Sequence, residues 1–227
     1  MWNLLGPPGF QGLRSDLPVT MYERNLPHWR QDGVTYFVTF RLCDSLPQSK
    51  LDELESYRNE WMKNRPLPFS KAQKEELALE VMRRIEAWLD QGMGSCLMRD
   101  TRVAKIVSDA FHHFDNARYE LGCYVIMPNH VHLIVKPTQC DFSLEKILQS
   151  IKVHSALEIN RLNGTSGKIW QDESFDRIVR DEEHLYRIVQ YIGANPTKAH
   201  LAGAACPRWI RPEWEQSGWR FDWDKNK

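Results

Sequence analysis

Two histidines one residue apart, His130-Val131-His132, are the first place in this chain where residue type and spacing could do chemistry. On a β-strand successive side chains alternate between faces, so both imidazoles point one way and Val131 points into the opposite layer. Two imidazoles a few ångströms apart are a natural pair of divalent-metal ligands. Alone, the tripeptide is a weak signal, because most such pairs on strands are two unconnected histidines. A second constellation is Tyr191-Ile-Gly-Ala-Asn195. At about 3.6 residues per turn, positions i and i+4 share a helix face, so Tyr191 and Asn195 look the same way. Asn195 offers a carbonyl oxygen that can serve as a hard ligand. Tyr191 offers a phenol with a reference pKa of about 10, a poor nucleophile near neutrality unless a base or cation assists. On spacing alone, a helix end with a half-buried tyrosine and a helix-stopping Asn-Pro fits this segment better than a site.

The surrounding pattern predicts the elements that would carry these groups. Residues 34–41 are β-branched and aromatic almost throughout and read as a strand. A helix capped by Ser49 carries Leu51, Leu54, Tyr57 and Trp61 at helical spacing, and a second opened by Ser70 carries Leu77, Val81, Ile85 and Trp88. A third spans 101–114. Residues 118–127 and 130–135 read as two strands of a hairpin with Pro128-Asn129 at its tip. An amphipathic helix follows over 143–160, then a loop at 163–167 and a short strand at 175–179. Asp181 caps a last helix that is expected to stop near Asn195, because Pro196 disfavours continuation. Strands interrupted by helices, with a hairpin in the middle, indicate an α+β protein: an antiparallel sheet with helices mainly on one face. The expected organisation is a loose N-terminal arm (1–20), one domain (21–202) with a helical insertion at about 50–115, and a Trp-rich tail (203–227).

Composition sets outer bounds. The 227 residues are 42% hydrophobic and 26% charged, enough for a sizeable core. Thirty basic and thirty acidic side chains balance, so a nucleic-acid partner would have to be held by a local basic patch rather than by overall charge. Five cysteines at no CxxC spacing argue against a disulfide framework or a cysteine zinc site, and a reducing cytoplasm fits best. No stretch has the apolar length of a membrane span. The start has no positively charged region or long apolar run of a leader.

Pro128-Asn-His-Val-His-Leu-Ile-Val135 resembles the metal motif of the single-tyrosine HUH transposases. Tyr191-Ile-Gly-Ala-Asn-Pro-Thr-Lys198, continuing to Leu201, resembles the tyrosine motif of one branch, the REP-associated tyrosine transposases. Segments at 24–42, 119–128 and 170–182 agree in order and spacing, so the resemblance covers roughly residues 22–202. It implies a ferredoxin-like sheet, His130 and His132 as metal ligands, Asn195 as the third ligand and Tyr191 as nucleophile. The implied reaction cuts and rejoins single-stranded DNA at hairpin, palindromic-repeat elements through a 5′-phosphotyrosine. Mg²⁺ or Mn²⁺ suits the mixed nitrogen and oxygen donors, although two imidazoles would also accept Zn²⁺. Two departures stand out: Gly193, where the family often has a bulkier polar residue, and His200, where it often has Gly.

Lys136, Lys152, Arg177, Arg180 and Lys198 belong to a run of basic residues around the motifs and are candidates for holding the DNA backbone. Tyr186, Tyr36 and Tyr124 read as packing residues, and His112-His113 as surface or core. His154 is a minor candidate for lining the site. At least two tail tryptophans are expected to cover the core. The implied partner is a single-stranded DNA hairpin, with no membrane partner and either a monomer or a homodimer. Two other readings remain at this point, a catalytically silent nucleic-acid-binding module and a metal-dependent hydrolase.

Overall fold

The computed structural model describes residues 4–23, 27–138, 141–201 and 205–222. A hairpin, β1 (Thr20–Glu23) and β2 (Pro27–Arg30), precedes the main sheet. The chain then runs β3 (Tyr36–Arg41), α1 (Gln48–Lys63), α2 (Lys71–Leu89), a 3-10 turn (Leu97–Arg99) and α3 (Thr101–His112). β4 (Tyr119–Ile126), β5 (His130–Pro137), α4 (Leu144–Asn163), β6 (Phe175–Ile178) and α5 (Glu182–Lys198) complete the core, followed by β7 (Arg208–Ile210) and α6 (Pro212–Gln216). The antiparallel sheet has the order β6-β3-β5-β4-β7. Without β7, the path β3-α3-β4-β5-α4-β6 is the β-α-β-β-α-β arrangement of ferredoxin-like domains. The α+β reading therefore holds, and α1 and α2 are the elaboration in the first crossover. Among the described residues no helix is long and apolar enough to cross a membrane.

Alternation along β5 separates the two faces. Val131, Leu133 and Val135 point into a core shared with α3 and α4. His130, His132 and Ile134 point the other way, where Ile134 joins Leu185, Ile188, Val189 and Ile192 of α5. Those four α5 residues lie at i, i+3, i+4 and i+7, the stripe that a helix buries on a sheet. Burying each contributes about 1.5–3 kcal/mol. The turn between β4 and β5 is closed by the Met127 amide donating to the His130 carbonyl at 2.9 Å, which fixes the register that brings both histidines onto one face.

Caps and breakers explain most boundaries. Ser70 forms a full capping box with Gln73, Ser143 accepts from the Lys146 amide, and Asp181 accepts from the His184 amide. Two expectations are corrected. α1 begins at Gln48 behind Pro47, so Ser49 lies inside it; the fixed φ of proline starts the turn without a side-chain cap. α5 does not stop at Asn195 but continues through Pro196 to Lys198. Proline costs the Ile192 carbonyl its helical partner, and Arg208 donates to the neighbouring Gly193 carbonyl at 3.0 Å. The burial of Asn195 and Pro196 against the sheet, together with bonds from the Ala199 and Leu201 amides to the Asn195 and Pro196 carbonyls, holds this last turn.

The termini are not idle. Residues of the N-terminal arm, expected to be loose, bond to the sheet: the Thr35 amide donates to the Gln11 carbonyl at 2.8 Å, and the Leu13 amide to the Val179 carbonyl at 3.0 Å. Trp214 and Trp219 are buried on the α5 face and donate to the Pro8 and Leu5 carbonyls. Trp209 stacks on Tyr124, and Trp223 lies outside the described residues. Beyond the opposite edge of the sheet, the Asp176 carboxylate on β6 accepts from His28 at 2.7 Å and from Arg30, which also donates to Glu145 on α4. Burial alone would lower the His28 pKa, but its carboxylate partners Asp176 and Glu173 raise it to about 9, so this clamp on the first hairpin is charged at neutral pH.

Candidate active site

His130 and His132 lie side by side on β5, with their Nε2 atoms 3.1 Å apart. Their outer nitrogens are held by neighbours. The Asn129 amide nitrogen donates to the Leu89 and Met93 carbonyls, so its oxygen faces His130 Nδ1 at 2.8 Å. His130 must then carry its proton on Nδ1 and present a lone pair at Nε2. Thr39, opposite His132 in the β3–β5 register, places its hydroxyl 2.7 Å from His132 Nδ1 and can serve either ring tautomer. These outer partners are of the kind that orient metal-bound histidines. Burial pushes the His130 pKa down to about 3, and burial, His130 and Lys198 push that of His132 well below its ordinary value. Both rings are therefore neutral at ordinary pH, the form in which imidazole binds a cation.

α5 supplies the other two groups. The Tyr191 hydroxyl lies 3.4 Å from His132 Nε2, and its ring packs edge-on to His132 and Phe37. Asn195, one turn later on the same face, is fully buried beside His130 and Tyr191. Its amide oxygen and nitrogen have no hydrogen-bond partner among the described residues. An unpartnered buried amide costs about 1–3 kcal/mol, a penalty that a ligand would remove. Among the described residues no three His, Cys, Asp or Glu side chains gather to hold a metal ion; Asn195 adds an amide oxygen beside the two histidines. Two facing imidazole nitrogens and an orphaned amide oxygen are a donor set that fits a divalent ion.

The basic candidates divide. Lys198 lies over the Tyr191 ring at 4.7 Å, and Arg177 lies over Phe37 at 5.4 Å with its Nε unpartnered among the described residues. Arg180 is exposed just beyond β6. Lys136 is at the far end of β5, bonded to the Gly9 carbonyl and paired with Glu120. Lys152 is on α4 and donates to the Gln171 and Asp172 carbonyls and to Ser174. The fold thus brings Arg177 and Lys198 to the tyrosine, and Lys136 and Lys152 elsewhere. His154 stacks on His113, with α3 and α4 on the other side of the sheet from His132. Tyr186 bonds Asp222 and packs on Trp219.

Sequence reading missed Glu86 and Asp90. They lie one turn apart at the end of α2, and their negative charges act on Tyr191. Burial, then Glu86 and Asp90, hold the Tyr191 phenol well above its ordinary pKa. The two acidic residues belong to a charged helix and carry no local mark; only the packing of α2 on this end of the sheet reveals them.

A sheet of ferredoxin-like order thus carries paired histidines on a central strand and a tyrosine on the helix that covers them. Residues 98–195, which include all four proposed site residues, match the family model described as "Transposase IS200 like", in agreement with the resemblance carried by the motifs. No curated protein matches the chain. Among solved structures, one described as "Structure of the REP associates tyrosine transposase bound to a REP hairpin" is similar at 16% identity and a TM-score of 0.45. That similarity covers 81% of this chain and 76% of the other.

Proposed function

We propose that this protein is a metal-dependent single-tyrosine transposase that cuts and rejoins single-stranded DNA beside a hairpin. The observation that carries the reading is the meeting, at one point, of the Tyr191 hydroxyl, the His130–His132 pair and the unpartnered Asn195 amide. Their spacing in the sequence does not require them to meet. His130, His132 and Asn195 would hold a Mg²⁺ or Mn²⁺ ion, which when bound supplies charge neutralisation and orientation at a phosphate. The protein's own part is to place the nucleophile. Tyr191 attacks phosphorus, its oxygen forms the new O–P bond, and the bond to the 3′-oxygen breaks. The products are a 5′-phosphotyrosine and a free 3′-hydroxyl, and a 3′-hydroxyl can later reverse the step because the bond energy is retained. Lys198 and Arg177, flanking the tyrosine, are placed to hold phosphate oxygens. The hairpin substrate is the partner that the motif resemblance implies.

The test uses a pool of end-labelled single-stranded hairpins with randomised stems and flanks, incubated with the protein and Mg²⁺ or Mn²⁺. A covalent protein–DNA band on a denaturing gel is expected, competed by hairpins far better than by perfect duplex and weakened by salt. Cut DNA with no covalent band would replace the transferase with a hydrolase. Equal competition by duplex would remove the hairpin substrate.

A further inference from the structure

A cavity of about 450 Å³ lies between α1, α2 and the part of the sheet where β3 meets β6. Its lining is tied to the histidine pair at two points. On one side is Thr39, whose hydroxyl is 2.7 Å from His132 Nδ1. On the other is Leu89 at the end of α2. Its carbonyl accepts from the Asn129 side-chain amide at 3.2 Å, and the Asn129 oxygen faces His130 Nδ1 at 2.8 Å. Arg41, also in the wall, is opposite His130 in the β3–β5 register, so the two side chains leave one face of the sheet about 5 Å apart. Whatever occupies the cavity is therefore held in fixed register with the two imidazoles.

The lining decides what chemistry fits. Its charged side chains are two arginines, Arg41 and Arg58, and two glutamates, Glu55 and Glu173. Without an excess of positive charge the cavity is a poor phosphate site. Leu54, Met82 and Ile85 supply an apolar wall, and the amides of Asn59 and Gln171 offer both donors and acceptors. Arg41 adds a guanidinium steadied by the Ser45 hydroxyl at 2.9 Å. An apolar surface with a few placed donors and acceptors is the lining of a small-molecule pocket. An unpaired nucleobase has the matching parts, an apolar ring face and a polar edge.

We propose that this cavity receives one unpaired nucleobase of the DNA strand, at a fixed step from the cut phosphate, with Arg41 and Asn59 as specificity-determining contacts. The assignment rests on the strand-cutting function proposed above. A base seated there sets which phosphate reaches Tyr191. The helices of the first crossover, α1 and α2, thereby choose the position of the cut.

The test uses a hairpin cut by the wild type, with each nucleotide beside the cut replaced in turn by an abasic residue. Affinity is measured with metal-free protein, apart from any cutting. One abasic position should weaken binding about 10-fold or more, and the others far less. Arg41→Met and Asn59→Ala should bind the intact hairpin more weakly and lose most of that penalty, because the contact is already gone. With metal, both should let the cut spread to neighbouring phosphates, which a merely structural residue would not do. Asn59 is exposed on α1, so Asn59→Ala keeps the test decisive if Arg41→Met fails to fold. Equal affinity for every abasic hairpin would overturn the assignment. So would a full abasic penalty in Asn59→Ala with the cut unmoved, since the base would then be read elsewhere. No adduct in the wild type would overturn the proposed function and this assignment together; an adduct with no abasic penalty overturns only the role of the cavity.

Discussion

Tyr191→Phe is expected to bind hairpin DNA and divalent metal as the parent does and to form no covalent adduct, a loss of about 10⁴-fold or more in cleavage. The substitution removes one oxygen and keeps the ring. The edge-on contacts with Phe37 and His132 and the cation contact with Lys198 belong to the ring, so the packing that holds this part of α5 survives. The lost hydroxyl makes a long contact, 3.4 Å to His132, and its removal relieves a buried polar group. The two terms are each about 1 kcal/mol and of opposite sign, so the melting temperature should move by no more than about 4 °C. Chemistry is a different matter, because the oxygen is the attacking atom. The neighbouring Tyr186 cannot substitute: its hydroxyl is bonded to Asp222 and its ring packs on Trp219. A denaturing gel of wild type beside mutant decides the matter. A band that persists in Tyr191→Phe would mean that another side chain attacks.

The second large effect concerns the cation. Mg²⁺ or Mn²⁺ at about 100 times its dissociation constant should stabilise the wild type by about 2.7 kcal/mol, a rise of roughly 5–10 °C in melting temperature. His130→Ala and His132→Ala should lose that rise and lose cleavage while remaining folded. Each ring sits at the edge of a core held by Val131, Leu133 and Ile134, which are untouched. Asn195→Leu makes a sharper prediction. Its side-chain amide is buried without a partner among the described residues, so replacing it by an apolar group of similar size should leave the metal-free protein as stable or more stable. The metal-induced rise should fall in the same variant. A metal-free Asn195→Leu protein that melts lower, with the metal response intact, would show that Asn195 is a structural residue and that the third donor lies elsewhere.

Sequence and structure agree where a pattern is local and diverge where it is not. The period-two alternation at 130–135 is local, and the two faces it defines are where expected. Ser70, Ser143 and Asp181 announce their helices because a cap is a contact across three residues. Pro196 misleads for the opposite reason: its local cost is real, but burial of this helix end against the sheet outweighs it. The pairing of β7 with β4, and the bond from the Asn129 amide to the Leu89 carbonyl of α2, depend on contacts between distant segments that no window of sequence contains. Gly193 stands in the sequence only as a departure from the bulkier residue that the resembled family often has there. In the structure a Cβ there would meet Phe221 at 2.8 Å, so the missing side chain is space for the C-terminal segment.

That segment and the N-terminal arm have a kinetic consequence. The Trp214 indole donates to the Pro8 carbonyl across 206 positions of chain, and the Trp219 indole to the Leu5 carbonyl across 214. Each contact closes a loop almost as long as the protein, at an entropic cost that only an already folded sheet can offset. The strap over the tyrosine-bearing helix should therefore be the last part to form and among the first to open, while β3, β4 and β5, paired over shorter distances, persist. Native-state hydrogen exchange is expected to show the two indole N–H groups exchanging well ahead of the β5 amides. Exchange of both at the rate of global unfolding would mean that strap and sheet open as one cooperative unit. With an early-opening strap, the helix carrying the nucleophile can shift on its sheet without the fold being lost.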